Sequence, residues 1–193
     1  MKIPMRALTL IALCATSLFF SLNSFGTEKL RFIGDQNIPT GEKFKETEIG
    51  GLSGVAYDKD KKRLLAISDD RGMVNEARFY EFSLTLDDKT FKVSPEEVVV
   101  LKDKEGKPFK KGTIDFEGIT LLGGDIFISS EGALNKDPIL NAEVFQFNRQ
   151  GIYKSNLEIP EQFIVTKNIS KYGARENLVF EGLSLFKLSI SIE

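Results

Sequence analysis

The sequence predicts an all-β fold, an incomplete β-propeller-like repeat of four-stranded antiparallel blades, and three observations carry that expectation. Gly54, Gly118 and Gly182 stand 64 residues apart, each inside a similar apolar stretch: Gly50–Tyr57, Thr113–Leu122 and Val179–Leu185. Short alternating runs of β-branched and aromatic residues separated by Gly and Asp turns fill the first two periods, and no helix-length periodicity interrupts them. Four strands in about 50 residues make one small sheet, and sheets recurring at a fixed period are how propeller blades read. A two-sheet β-sandwich is the alternative, since short alternating strands look alike in both.

The elements follow in order. Residues 1–26 place Lys2 and Arg6 before an apolar run from Ala7 to Phe20 and end in small and polar residues, the layout of a cleaved signal peptide. The run is shorter than the roughly 20 residues that span a bilayer, so no stable membrane span is expected after cleavage. Residues 28–48 carry no motif and have room for one edge strand. The first blade covers about 50–101, with strands at Leu52–Tyr57, Arg63–Ser68, Arg78–Thr85 and Glu97–Leu101 and a charged loop at 69–77. The second covers about 114–159, with strands at Ile114–Leu122, Asp125–Ser130, Glu143–Phe147 and Ile152–Ile159. A third begins at Val179, and a repeat that begins without finishing is expected of a truncated array. Residues 27–193 are thus expected to be the N-terminal part of one larger β domain.

Composition narrows the chemistry. The 193 residues contain no His and no Trp, and the one Cys, Cys14, lies in the expected leader, so His- or Cys-dependent triads and zinc sites are excluded. Net charge is −2 with lysines scattered among acids, which gives no face for nucleic acid. Carboxylates, arginines and hydroxyls remain, a donor set suited to hard cations such as calcium. Glu117 and Glu181 recur in the same Phe-Glu-Gly context, and Glu131 closes the second strand of its repeat. Registering Ile67 on Ile128 puts Asp70 opposite Glu131 and Arg71 opposite Gly132. On the propeller reading Ser53, Glu117 and Glu181 point from equivalent places around one axis, with Asp70 and Glu131 near its mouth.

Five segments taken together resemble one family: Gly51–Val55, Ile67–Gly72, Asp115–Ile119, Ser130–Gly132 and Arg175–Leu183. They resemble the phytase-like family, described as having esterase-like activity, over about Glu48 to Leu185. The resemblance implies a propeller-like fold and, through a more distant similarity to β-propeller phytases, acidic residues that bind calcium and through it phosphate. Glu117, Glu131 and Glu181 match that ligand type. Asp70 joins them as a fourth expected ligand, and Arg71 and Arg175 are the expected contacts to phosphate. Two readings stay open. One is an exported, periplasmic or extracellular, calcium-assisted hydrolase of a small phosphorylated or other ester substrate. The other is a non-catalytic exported propeller, or an inactive fragment of one, that binds a partner through its loops.

Overall fold

The computed structural model describes residues 30–133, 136–164 and 179–186; the expected leader at 1–26 and Arg175 lie outside the described residues. Two short strands, β1 (Lys43–Phe44) and β2 (Thr47–Glu48), form a small hairpin. Then come β3 (Leu52–Asp58), β4 (Arg63–Ser68), β5 (Arg78–Leu86) and β6 (Phe91–Val100), followed by β7 (Phe116–Leu122), β8 (Asp125–Ser130), β9 (Glu143–Phe147) and β10 (Tyr153–Asn156). A single 3-10 turn, Glu161–Phe163, is the only helical element among the described residues. Each set of four long strands forms one antiparallel sheet in simple chain order, β3-β4-β5-β6 and β7-β8-β9-β10. This is the all-β, four-stranded blade plan that the 64-residue period predicts.

Local chemistry closes the turns. Between β3 and β4 the Asp58 carboxylate accepts the Asp60 and Lys61 amides at 3.0 and 3.2 Å, and Lys62 takes φ 53°. Between β7 and β8, Gly123 and Gly124 both have positive φ, 60° and 89°, which the two-residue turn that matches strand twist requires. Strand β6 begins at Phe91, six residues before the expected Glu97, because Asp87 accepts the Lys89 and Thr90 amides and returns the chain early. Pro95 and the charges around it read as loop in the sequence. Here Pro95 sits on an edge strand at a bulge, where a missing N–H costs little. The expected single strand in 28–48 is instead the β1–β2 hairpin. Strand β7 starts two residues later than expected, and β10 is shorter at both ends.

How the sheets stack follows from which face each repeated position uses. Leu65, Ile67 and Phe79 of the first sheet pack against Phe116, Ile126, Ile128, Phe145 and Phe147 of the second. Tyr80 and Phe82, which occupy in β5 the places of Phe145 and Phe147 in β9, lie on the opposite face of the first sheet under Ile49, Phe44 and Ile38. One repeat therefore presents its front to the back of the next, as stacked blades do, and the N-terminal hairpin covers the free back of the first. Backbones approach closely along the inner strands: a Cβ on Gly54 would lie 2.4 Å from the Glu117 carbonyl oxygen, and one on Gly118 would lie 2.6 Å from the Leu183 nitrogen. The periodic glycines are contact points between successive repeats. Residues 179–186 run beside β7 without a hydrogen-bonded ladder, so the strand expected at Val179–Leu185 is not formed among the described residues. A first strand takes its ladder from the second strand of its own sheet, and no described residue after Phe186 supplies one.

Candidate cation site

The ladders correct one expected alignment. Leu52 pairs with Ser68 and Phe116 with Ser130, so the residue that follows each serine is equivalent, and Asp69, not Asp70, stands where Glu131 stands. Matching Ile67 to Ile128 misleads because the two face different neighbours. The residue in Ile128's place is Ala66, and Ile67's place in the second sheet belongs to Ser129. A bulge between Leu52 and Gly54 is repeated between Phe116 and Ile119 and keeps both ladders in this register. The same backbone bonds recur at the strand ends: Asp69 N–H to the Gly51 carbonyl at 2.8 Å, and Glu131 N–H to the Asp115 carbonyl at 2.9 Å.

Two buried serines fix the acidic end of the second sheet. Ser130 Oγ accepts the Asp115 and Gly132 amides at 3.1 and 3.2 Å, which sets the backbone on both sides of Glu131. Ser129 Oγ accepts the Gly118 amide and donates to the Phe180 carbonyl, both at 3.0 Å, tying β7 to the third repeat. Glu131, itself buried, accepts the Val179 amide at 3.0 Å. Asp115, Glu117 and Glu131 then offer oxygens that all lie within 4.8 Å of one another. Calcium takes oxygens at about 2.3–2.6 Å, so ligands on opposite sides stand about 5 Å apart, and this spacing fits such an ion.

The electrostatics agree with a site that lacks countercharge. Burial, reinforced by Asp115, Asp69, Glu131 and Glu181, pushes the Glu117 carboxyl up to about 7 from an ordinary 4.5. Burial also raises Asp115, although Arg71 opposes it. A hydrogen bond with Glu131, and then its negative charge, raise Glu181. Among the described residues the cation in the group is Arg71, whose Nε donates to Asp115 Oδ1 at 2.8 Å while Nη2 lies 2.5 Å from Oδ2. That fork, closed chiefly by the Asp115 bond, makes the guanidinium hold its proton more firmly.

Of the residues expected from sequence, the structure gathers Glu117, Glu131, Glu181 and Arg71. Ser53 lies at the same inner ring, its hydroxyl donating to the Phe116 carbonyl at 3.2 Å. Asp70 is placed elsewhere: its carboxylate binds the buried Arg78 guanidinium and accepts the Gly72 and Asn75 amides at 2.7 and 3.2 Å, organising its own loop. Asp115 and Asp69 were not singled out as ligands. Asp115 lies two residues before Glu117 at the entry to a strand, and a period-two reading brings such a pair to one side. Asp69 needed the ladder.

A repeat of blade-like sheets with an all-oxygen acidic cluster that could hold a cation at the ends of its inner strands is the class that fold and site define. Residues 47–188, well over half of the chain, match the Phytase-like family, described as esterase-like activity of phytase, and the chain belongs to it. Neither the curated proteins nor the solved structures compared with it gave a match. Family membership supports a hydrolase-like function at the level of the family.

Proposed function

We propose that this chain is an exported, calcium-assisted hydrolase of small phosphoesters or other small esters. The observation that carries the reading is the convergence of Asp115, Glu117 and Glu131 within 4.8 Å, with Arg71 beside them, in a sequence with no His and a single Cys at position 14. Asp115, Glu117 and Glu131 would hold the ion, with Glu181 completing the set through its contact to Glu131. When bound, calcium supplies positive charge that neutralises an anionic oxygen of the ester and lowers the cost of attack by water.

The chain's own groups do the rest. Arg71 commits Nε and Nη2 to Asp115, which leaves further N–H donors of its guanidinium for a substrate oxygen. Its φ of 56° turns the loop so that the side chain reaches across to the second sheet. Ser129 and Ser130, buried and hydrogen-bonded, keep the strand ends from moving as charge changes above them. Arg175 is the second arginine we assign to substrate phosphate. The leader pattern of residues 1–26 supports export.

The test compares hydrolysis of p-nitrophenyl phosphate and p-nitrophenyl acetate in calcium and in chelator. We expect calcium-dependent phosphate release that falls at least about a hundredfold in Glu117→Gln, as loss of one charged catalytic contact does, and that survives in Glu158→Gln. Calcium binding without turnover of either ester would favour the binding-module reading, and turnover unaffected by chelation would refute the metal-assisted one.

A further inference from the structure

At the edge of the second sheet, β9, β10 and the turn at residues 103–114 line a half-open cavity of about 360 Å³, with Glu143 opposite Ser130 in the ladder. That volume is at the low end for sites that take small organic molecules. Phe109, Phe145 and Tyr153 line it; Phe109 and Phe145 meet edge to face with centroids 5.8 Å apart, and Phe145 is itself buried, so the walls are fixed. Its polar lining is unbalanced. Glu143, Asp103 and Glu105 face a single lysine, Lys104, which pairs loosely with Glu105 at 3.9 Å. Asp103 has one oxygen engaged by the Glu105 and Lys107 amides at 2.9 and 3.0 Å, an arrangement that fixes its carboxylate at the rim. Glu143 stands at the start of β9, half-buried, with Asn156 as its hydrogen-bond partner and no Lys or Arg within ion-pair distance among the described residues.

Apolar aromatic walls with an excess of negative charge select against anions, and a neutral ligand gains only an uncharged hydrogen bond from Thr113, Asn156 or a carboxylate. A cation carried on an apolar stem satisfies both surfaces: its stem covers the rings and its charge meets the carboxylate and the ring faces. We propose that this cavity binds a small organic ammonium, with the stem against Phe109, Phe145 and Tyr153 and the charged nitrogen on Glu143. Burial raises the Glu143 carboxyl above its ordinary range, which agrees with a group that lacks its countercharge. The site shares no residue with the cation cradle and stands independently of the hydrolase reading.

The experiment titrates n-butylammonium, n-butanol and butyrate into the full chain in chelator and follows backbone amide shifts of β9 and β10. Butylammonium is expected to saturate and to bind about tenfold or more tighter than butanol, a difference of about 1.4 kcal/mol, with butyrate weakest. Glu143→Gln should remove that preference while keeping the wild-type melt, and Glu158→Gln should keep both. If Glu143→Gln proves unstable, the wild-type order of the three probes carries the test alone. Equal binding of butanol and butylammonium, an unchanged preference in a folded Glu143→Gln, or no saturation by butylammonium would each overturn the proposal.

Discussion

Replacing Glu117 by Gln should have opposite effects on stability with and without calcium. In the cation-free protein Glu117 holds its proton to about pH 7, chiefly because of burial and then because of Asp115, Asp69, Glu131 and Glu181, against an ordinary 4.5. The unfolded chain releases that proton near 4.5, so between these values the native state binds more protons than the unfolded one. Stability therefore falls as pH rises through that window, and the penalty is complete above pH 7. At 1.36 kcal/mol per pKa unit the penalty is about 3 kcal/mol. Gln keeps the shape and carries no charge, so in chelator at pH 8 Glu117→Gln should be more stable than wild type by up to that amount. In a domain of this size that is a Tm rise of roughly 6–12 °C. At pH 4.5 the difference should vanish. Calcium should reverse the order once it stands at about a thousand times the wild-type Kd and still below the Kd of the variant, where it adds about 4.1 kcal/mol to the protein that binds it and little to the variant. Thermal melts at pH 4.5 and pH 8, in chelator and in calcium, give all four numbers. A Glu117→Gln protein that melts below wild type in chelator at pH 8 would refute the argument, since the carboxylate would then be a stabilising partner and not an uncompensated charge.

Two further outcomes follow from the same geometry. Arg71→Ala leaves the buried Asp115 without its fork and should cost about 1–3 kcal/mol in chelator, with calcium recovering much of the loss; urea denaturation in both buffers measures it. Gly118→Ala places a Cβ 2.6 Å from both Leu183 N and Ser129 Oγ and should cost about 1–3 kcal/mol, whereas Gly182→Ala, which meets nothing within 4 Å, should be near neutral by the same assay.

Period and alternation made most of this fold legible. Arg63–Ser68, Asp125–Ser130 and Glu143–Phe147 are strands with the expected bounds, because each is a short apolar run set between polar or turn-forming residues. The long β5–β6 hairpin was harder to read, since Pro95 and its charged neighbours suit a solvent-facing edge strand as well as they suit a loop. Glu117, Glu131 and Glu181 stand out in the sequence as candidate ligands because the Phe-Glu-Gly context repeats and Glu131 ends a strand. Asp115 was hidden by its own repeat: its counterpart is Gly51, whose missing side chain leaves the space that the Asp69 carboxylate fills, 1.9 Å from where a Cβ would be. The same acidic end is thus built from different strands in the two repeats, and no column of aligned residues reveals it.

That exchange leads to a last expectation, which separates Asp69 from its neighbour Asp70. Both lie in the same charged loop, and sequence alone put Asp70 with the cation ligands. Its carboxylate instead closes on Arg78, a guanidinium with only 2% of its side chain exposed, which also donates to the Glu48 carbonyl at 2.7 Å and to Tyr80 Oη at 2.6 Å. Removing one partner of a buried pair strands the other charge, at a cost of about 3–5 kcal/mol. Asp70→Asn should therefore lower the melting temperature in chelator and leave the calcium-induced increment as in wild type. Asp69 makes no such pair among the described residues, and its charge adds to those that push Asp115 and Glu117 up. Asp69→Asn should then be neutral or stabilising in chelator and should shrink the increment, because one negative charge has left the surroundings of the ion. Isothermal titration with calcium, alongside the melts, reads affinity apart from stability. Should Asp70→Asn abolish calcium binding in a protein that still melts cooperatively while Asp69→Asn leaves it intact, the register drawn from the Ser68 and Ser130 pairings would have no bearing on the cation, and the site would have to be rebuilt around the loop at residues 69–77.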